Sequence, residues 1–442
     1  MNRPLSKDRL QTAFLLALSA LVALFFVLLC CGNLGGQTDI VYLEGRDFMA
    51  DMLQTEEYAR ALDPYGFGQG EAHVPFKDAN YPPLAYVLFW LADAVSGRDA
   101  ATPWALAVAI LLGAAGIVLL WHALSRLLDA PRGKRALLAA ALALSAPAVF
   151  AFERGNIILL AAVLCTWFLL GYQSPRRLVR ELAFVALAVA AALKIYPALL
   201  GLLLLRQRRW KDALRLAAYG LCAVFLPFLC MQGGFANLPL LFENFGAHTA
   251  YYTRFIYPRF GFRLFASISY DTTFLDPFLN DNLWKLGDRL FRFMPAVDTL
   301  LACLCLAHAC VCKRRWEAAA AILLVLVNYP VNSGYYTALY LLPAAALLLS
   351  CDALTRRDLW YAALLVLIFN PVQIPLPYAL LGIADPILCN TTDILRNLAA
   401  YALFVLFAAK GAVGSVGLIL TNFFANRPAV RHEPPPSVFK HE

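Results

Sequence analysis

The sequence predicts an all-α fold, a polytopic helical membrane protein, and three observations carry that prediction. The 442 residues are 61% hydrophobic and only 15% charged, whereas soluble domains carry about 25% charged residues. The mean hydropathy is +0.64. The apolar runs are continuous and helix-length, unlike the short alternating segments of a membrane barrel. About 11–13 spans are expected at the length a bilayer demands, with two large outer loops carrying short amphipathic helices.

The net charge of +8 would suit a nucleic-acid binder if the chain were soluble. Here Lys and Arg cluster between apolar runs, which is a topology signal, so no nucleic-acid partner is expected. The 11 cysteines fall mostly inside apolar runs and lack the paired spacing of a zinc site or a disulfide framework.

Three bases in residues 1–9 put the N-terminus in the cytoplasm, and Thr12 to Cys31 is the first span. It is too long for a signal-peptide core and lacks a small-residue cleavage site. The outer loop that follows, 32–80, holds nine acids against three bases. Within it Met49, Met52 and Leu53 fall at i, i+3 and i+4, which predicts a short amphipathic helix lying on the membrane surface. Tyr81 to Gly97 is short, carries Asp93 and begins with two prolines that suit a helix start. It is expected to be re-entrant or interfacial, because counting it as a span would turn every later basic loop outward.

Further spans are expected over 104–124, 136–152, 157–172 and 181–195, then a return through 198–205 and an outward 213–231. The return is too short to cross about 30 Å of hydrocarbon unaided. After a second large outer loop, 232–295, come 296–312, 318–327, 338–351, 360–374 and a last span near 395–419. The Pro-rich tail 426–442 is expected to be disordered.

Under this topology the polar residues gather on the outer face. Ionisable groups at membrane depth usually line a cavity or pair with one another. If a helix covers both, Asp47 and Asp51 at i and i+4 share one face. One could act as general base on a hydroxyl while the other positions it or binds a metal. The alternatives are a solvated acidic face or pairing with Arg46. Lys194, at the outer end of an apolar span just before Tyr196-Pro197, suits a phosphate; a snorkelling lysine is the alternative. Arg154 is a second phosphate candidate or half of a Glu153-Arg154 salt-bridged turn. Arg254, Arg259 and Arg263, interleaved with aromatic residues, read as an interfacial belt with basic anchors or as lipid-phosphate capture.

Together Asp47-Phe48 with Asp51, Asp63-Pro64-Tyr65, Tyr81-Pro82-Pro83-Leu84, Arg154-Gly155-Asn156 and Lys194-Ile195-Tyr196-Pro197 resemble the GT-C superfamily of polyprenyl-phosphate-sugar-dependent glycosyltransferases. Within it they are especially similar to the bacterial polyprenyl-phosphate-mannose mannosyltransferases and their uncharacterised relatives. The resemblance covers about the first half of the chain. It implies an inverting transfer of a hexose, mannose favoured, from a polyprenyl-phosphate donor to a lipid or glycan acceptor, with Asp47 as catalytic base. Asp51, Tyr81, Arg154, Asn156, Lys194, Tyr196, Arg254, Arg259 and Arg263 would contact substrate. The setting implied is the outer face of the bacterial plasma membrane.

The Asp-x-Asp pattern of some relatives is absent, so no metal ligand is assigned and a divalent metal is left open. The organisation implied is a catalytic membrane module over 1–231, the second outer loop 232–295, membrane helices over 296–425 and the tail 426–442. Two rival readings stand beside it. An O-antigen polymerase or ligase would depend on Arg254, Arg259 and Arg263. A lipid-linked sugar flippase or transporter would form no glycosidic bond, and the internal repeat that often marks transporters is not evident.

Overall fold

The computed structural model describes residues 6–32, 34, 48–66, 79–99, 101–252, 260–261, 277–330, 334–374 and 391–425. The described residues hold helices and no strand. In order these are α1 (Lys7–Cys30), α2 (Ala50–Ala59), α3 (Pro83–Ser96), α4 (Pro103–Leu127), α5 (Arg132–Ala143), α6 (Ala146–Arg154), α7 (Ile158–Gly171) and α8 (Arg177–Leu193). Then come α9 (Leu202–Arg206), α10 (Trp210–Phe225), α11 (Asn237–Tyr252), α12 (Pro277–Val311), α13 (Arg315–Asn328), α14 (Leu342–Leu349), α15 (Arg356–Phe369) and α16 (Thr391–Ala425).

Among the described residues five helical stretches are long and apolar enough to cross a membrane: Lys7–Cys30, Pro103–Leu127, Trp210–Cys230, Arg292–Val311 and Thr391–Ser415. A sixth follows if α5 and α6, bent by 54° at their junction, count as one span. The protein is therefore an all-α, polytopic integral membrane protein. The other apolar helices are shorter, and burial explains why they tolerate it. Helix α13 is buried along nearly its whole length, and α7 on most sides. A helix shielded from lipid by its neighbours need not match the hydrocarbon thickness.

The short return after Lys194 has its own device. Tyr196–Gly201 is a 3₁₀ helix that runs into α9. A 3₁₀ helix rises about 2.0 Å per residue against about 1.5 Å for an α-helix, so the same few residues reach farther. Tyr335–Leu341 leads into α14 in the same way.

The basic connections meet at one end of the bundle. Lys7 bridges Asp129 and Asp352, Arg314 binds Asp358, Lys410 reaches Glu317, Arg206 donates to the Cys312 carbonyl and Arg209 to that of Tyr172. The basic loops thus gather at one end of the bundle.

At the other end the segments that follow α1 and α10 pack on each other. Gln232 donates from its backbone to the Leu62 carbonyl and from its side chain to that of Ala61. Asn244, on α11, donates to the carbonyls of Tyr65 and Ala79. Helix α11 thereby fastens both ends of the stretch between residues 66 and 79.

Helix α2 forms where a short helix was expected and packs against α3, α4 and α6, with Met52, Thr55, Glu56, Tyr58 and Ala59 buried. Its polar contacts hold it there. Arg60 forks onto Asp93 of α3 with hydrogen bonds of 3.0 and 3.2 Å, and Ser96 donates to Glu56. Asp93, the charge inside an apolar helix, is thus paired and 1% exposed. Helix α3 begins after Pro82 with Pro83 in its first turn, as expected, and stops at Gly97 in a left-handed conformation (φ 89°). At 14 residues it reaches about 21 Å. Within the expected second loop, 232–295, α12 already starts at Pro277 and continues through Pro295.

Candidate active site

The site forms where three chain breaks meet. Helix α2 starts late: Met49 has a left-handed backbone (φ 57°), and its N–H donates to the Glu153 carbonyl at 2.6 Å. Helix α2 opens at Ala50 with Asp51 in its first turn, and the expected i, i+4 relation to Asp47 falls outside the described residues. Helix α6 ends at Arg154, and Gly155 follows at φ 63°. A Cβ on Gly155 would lie 2.9 Å from the Met52 Cβ and 3.3 Å from the Met49 Cα. Only glycine lets the α6 turn and the start of α2 approach so closely.

That approach brings Asp51 onto Arg154 and Asn156. Arg154 donates twice to Asp51 Oδ1, its Nε at 3.1 Å, and the Asn156 amide donates to Oδ2 at 2.7 Å. Asn156 is 4% exposed, and its Oδ1 accepts from the Ile158 N–H at 3.0 Å, helping to open α7. This second bond fixes which way the amide points. The solvated-face reading is thereby excluded for Asp51, and Arg154 is its inter-helix partner.

The remaining members come from the starts of α3 and of the 3₁₀ segment. The Asn156 amide lies 3.5 Å from the Tyr81 hydroxyl. Burial is the main cause that raises that phenol well above its usual range, with Asp51 adding to it. Tyr65 donates to the Tyr81 carbonyl at 2.8 Å. Lys194 caps α8 in an extended conformation, and its Nζ sits 4.1 Å from the centre of the Tyr81 ring. A cation over an aromatic face gains about 0.5–2 kcal/mol depending on desolvation. Lys194 therefore turns inward instead of snorkelling away. Tyr196 opens the 3₁₀ segment, half-buried and within electrostatic reach of the buried Tyr340.

Asp51, Tyr81, Arg154, Asn156 and Lys194 thus come together. Asp47, Arg254, Arg259 and Arg263 lie outside the described residues. Among the described residues no three His, Cys, Asp or Glu side chains converge as a metal ion would require.

Two features lie outside the candidate set, one of them a histidine whose sequence signal is weak and reads as structural. His248, on α11, lies close enough to Lys194 to feel its charge. Burial, with the Lys194 ammonium beside it, pushes the imidazole down to about 4, so it is neutral at pH 7. Glu56 is fully buried, and burial with the Asp93 carboxylate nearby pushes it up to about 7. Asp93 in an apolar helix was the available signal for that second cluster; a lone loop histidine offers none.

An all-helical membrane bundle with a carboxylate and two cations gathered at the end opposite its basic connections has the layout of a membrane transferase. Residues 80–331, more than half of the chain, match the family model of glycosyltransferase family 87, and the chain belongs to that family. It is a glycosyltransferase of the GT-C-like superfamily. The matched region contains Tyr81, Arg154, Asn156 and Lys194 but begins after Asp47 and Asp51. No curated protein and no solved structure matches the chain.

Proposed function

We propose that the chain is an inverting hexosyltransferase that takes its sugar, mannose favoured, from a polyprenyl-phosphate donor on the outer face of a bacterial plasma membrane. The acceptor is a lipid or glycan hydroxyl. The observation that carries this reading is the grouping of Asp51, Arg154, Asn156, Tyr81 and Lys194 at one end of the bundle. One carboxylate against two cations leaves the group with net positive charge, which suits a departing phosphate. The neutral His248 fits the same positive field.

In the transfer, Asp47 takes the acceptor O–H proton while the oxygen attacks C1 of the sugar from the face opposite the phosphate. The C1–O bond to phosphate breaks and its electron pair stays on the phosphate, which Lys194 and Arg154 stabilise. Asp51 is better suited to orienting than to proton abstraction. Both its oxygens already accept hydrogen bonds, from Arg154 and Asn156.

The test is product analysis with the purified chain, polyprenyl-phosphate mannose and membrane lipids, run beside a nucleotide-sugar donor. A new mannosylated product from the polyprenyl donor alone is expected, and Asp47→Asn should abolish it while the protein stays folded. Near-normal transfer by that variant would remove Asp47 from the role of base.

A further inference from the structure

At the basic end of the bundle α8 and α10 begin side by side. Arg209, just before α10, donates to the Tyr172 carbonyl at 2.7 Å, and Arg215 of α10 binds Glu181 of α8. Four bases crowd the two starts: Arg176, Arg177, Arg208 and Lys211, all exposed. None of them forms an ion pair among the described residues, because the acids nearby, Glu181 and Asp212, are taken by Arg209 and Arg215.

Arg208 is held there against a local cost. Its N–H and that of Arg209 close the end of α9 on the carbonyls of Leu205 and Leu204, and its backbone is left-handed (φ 56°). Glycine is the ordinary residue at that point of a helix end, because a side chain there is strained. A topology signal needs positive charge in the loop but not at its left-handed residue. The surroundings indicate which anion the patch takes. Trp210–Cys230 is among the stretches that can cross a membrane, so the first turn of α10 lies where headgroups begin. Trp210 and Leu214 on it, and Leu178 and Leu182 on α8, are exposed, Leu178 and Leu214 each to 72%. Apolar side chains turned outward beside unpaired cations match an amphiphile better than a soluble anion. We propose that the starts of α8 and α10 bind an anionic phospholipid of the adjoining leaflet, its phosphodiester among Arg176, Arg177, Arg208 and Lys211 and its acyl chains along Leu178 and Leu214. The site lies at the opposite end of α8 from Lys194 and does not rest on the glycosyl-transfer reading.

Native mass spectrometry of the full chain released from detergent micelles counts bound lipid. The probes are phosphatidylglycerol, phosphatidylcholine with the same acyl chains, and glycerol 3-phosphate. Phosphatidylglycerol should bind in preference to the other two. A base near a membrane surface contributes about fivefold in affinity, so Arg176→Gln with Arg177→Gln should weaken phosphatidylglycerol binding about 25-fold, and Arg208→Gly with Lys211→Gln should do the same. Arg356 and Arg357 are exposed bases at the same end. Arg356→Gln with Arg357→Gln removes an equal charge and should change binding less than about twofold.

Arg208→Gly alone should melt higher than wild type in micelles without phosphatidylglycerol, since glycine relieves the left-handed strain, while binding that lipid about fivefold more weakly. That single variant decides the matter if a double variant fails to fold. Equal losses in the Arg356 and Arg357 double variant would reduce the effect to the diffuse positive field of that end and overturn the site. Displacement of the lipid by glycerol 3-phosphate at a like concentration would make it a soluble-anion site instead. Equal binding of phosphatidylcholine would deny any recognition of the anionic headgroup.

Discussion

Gly155→Ala measures how much the site depends on the contact between the α6 turn and the start of α2. Gly155 and Gly97 are both left-handed, at φ 63° and 89°, and both follow the last residue of a helix. Alanine at either position costs about 1–2 kcal/mol for the left-handed backbone. They differ in surroundings. A Cβ on Gly97 meets nothing within 4 Å, whereas on Gly155 it would sit 2.9 Å from the Met52 Cβ, 3.1 Å from the Met49 Sδ and 3.3 Å from the Met49 Cα.

Two of those atoms belong to or adjoin the backbone of α2, so the helix start must shift by a few tenths of an ångström. Overpacking of this kind adds about 1–3 kcal/mol. Gly155→Ala should therefore lose roughly 2–5 kcal/mol against roughly 1–2 for Gly97→Ala. The displacement also moves Asp51 off Arg154 and Asn156. Small misplacements of positioning groups are costly, so turnover should fall about tenfold or more, with Gly97→Ala near wild type. Thermal unfolding by intrinsic fluorescence and transfer assays on the two variants supply both comparisons. Equal stability loss and equal activity would refute the view that the Gly155 contact holds Asp51 in place.

Three further outcomes follow from the same geometry. Glu56, pushed up to about 7 from an ordinary value near 4.5, keeps a proton in the folded state that the unfolded chain gives up between those values. Its contribution is therefore intact below about pH 4.5, declines by roughly 2–3 kcal/mol as pH rises to about 7, and is level above. Glu56→Gln should flatten this component and raise the melting temperature most at pH 8; parallel wild-type and variant pH curves would exclude it. Asn156→Asp keeps the oxygen that caps Ile158 but sets a carboxylate against Asp51, 2.7 Å away in the native pair. Activity should be lost at pH 8 and partly return toward acid pH, where the pair can share one proton. Lys194→Met removes the cation over Tyr81 while keeping a long apolar stem. Turnover should drop about 10²-fold with the chain still folded, and a drop under about twofold would assign Lys194 to structure alone.

Much of the site was legible because its residues sit where the chain is irregular. Lys194 precedes a Tyr-Pro that ends one helix and starts another; Arg154 precedes a glycine; Tyr81 precedes two prolines. In an apolar chain each polar residue at such a break is conspicuous, and sequence order alone gathers them on one side. The partners were not legible. Asp51 is 103 residues from Arg154 and 105 from Asn156, and nothing in local spacing distinguishes that pairing from one with Arg46. The start of α2 was not legible either: an apolar stripe through Met49, Met52 and Leu53 gives no hint of the left-handed Met49 that precedes it.

The same long-range packing explains why α2 is a buried strut. Its sequence has polar residues on every side, but Arg60 finds Asp93, Glu56 finds Ser96 and Asp51 finds Arg154. Each pairing lets a side that looks solvent-facing turn inward, because a paired charge no longer requires water. The consequence for chemistry is direct. A helix held at both ends by ion pairs presents Asp51 rigidly, and a rigid carboxylate committed to two donors orients neighbouring cations better than it exchanges protons. In the transfer proposed above the acceptor's proton goes to Asp47, and Asp51 keeps the positioning role that its two donors give it.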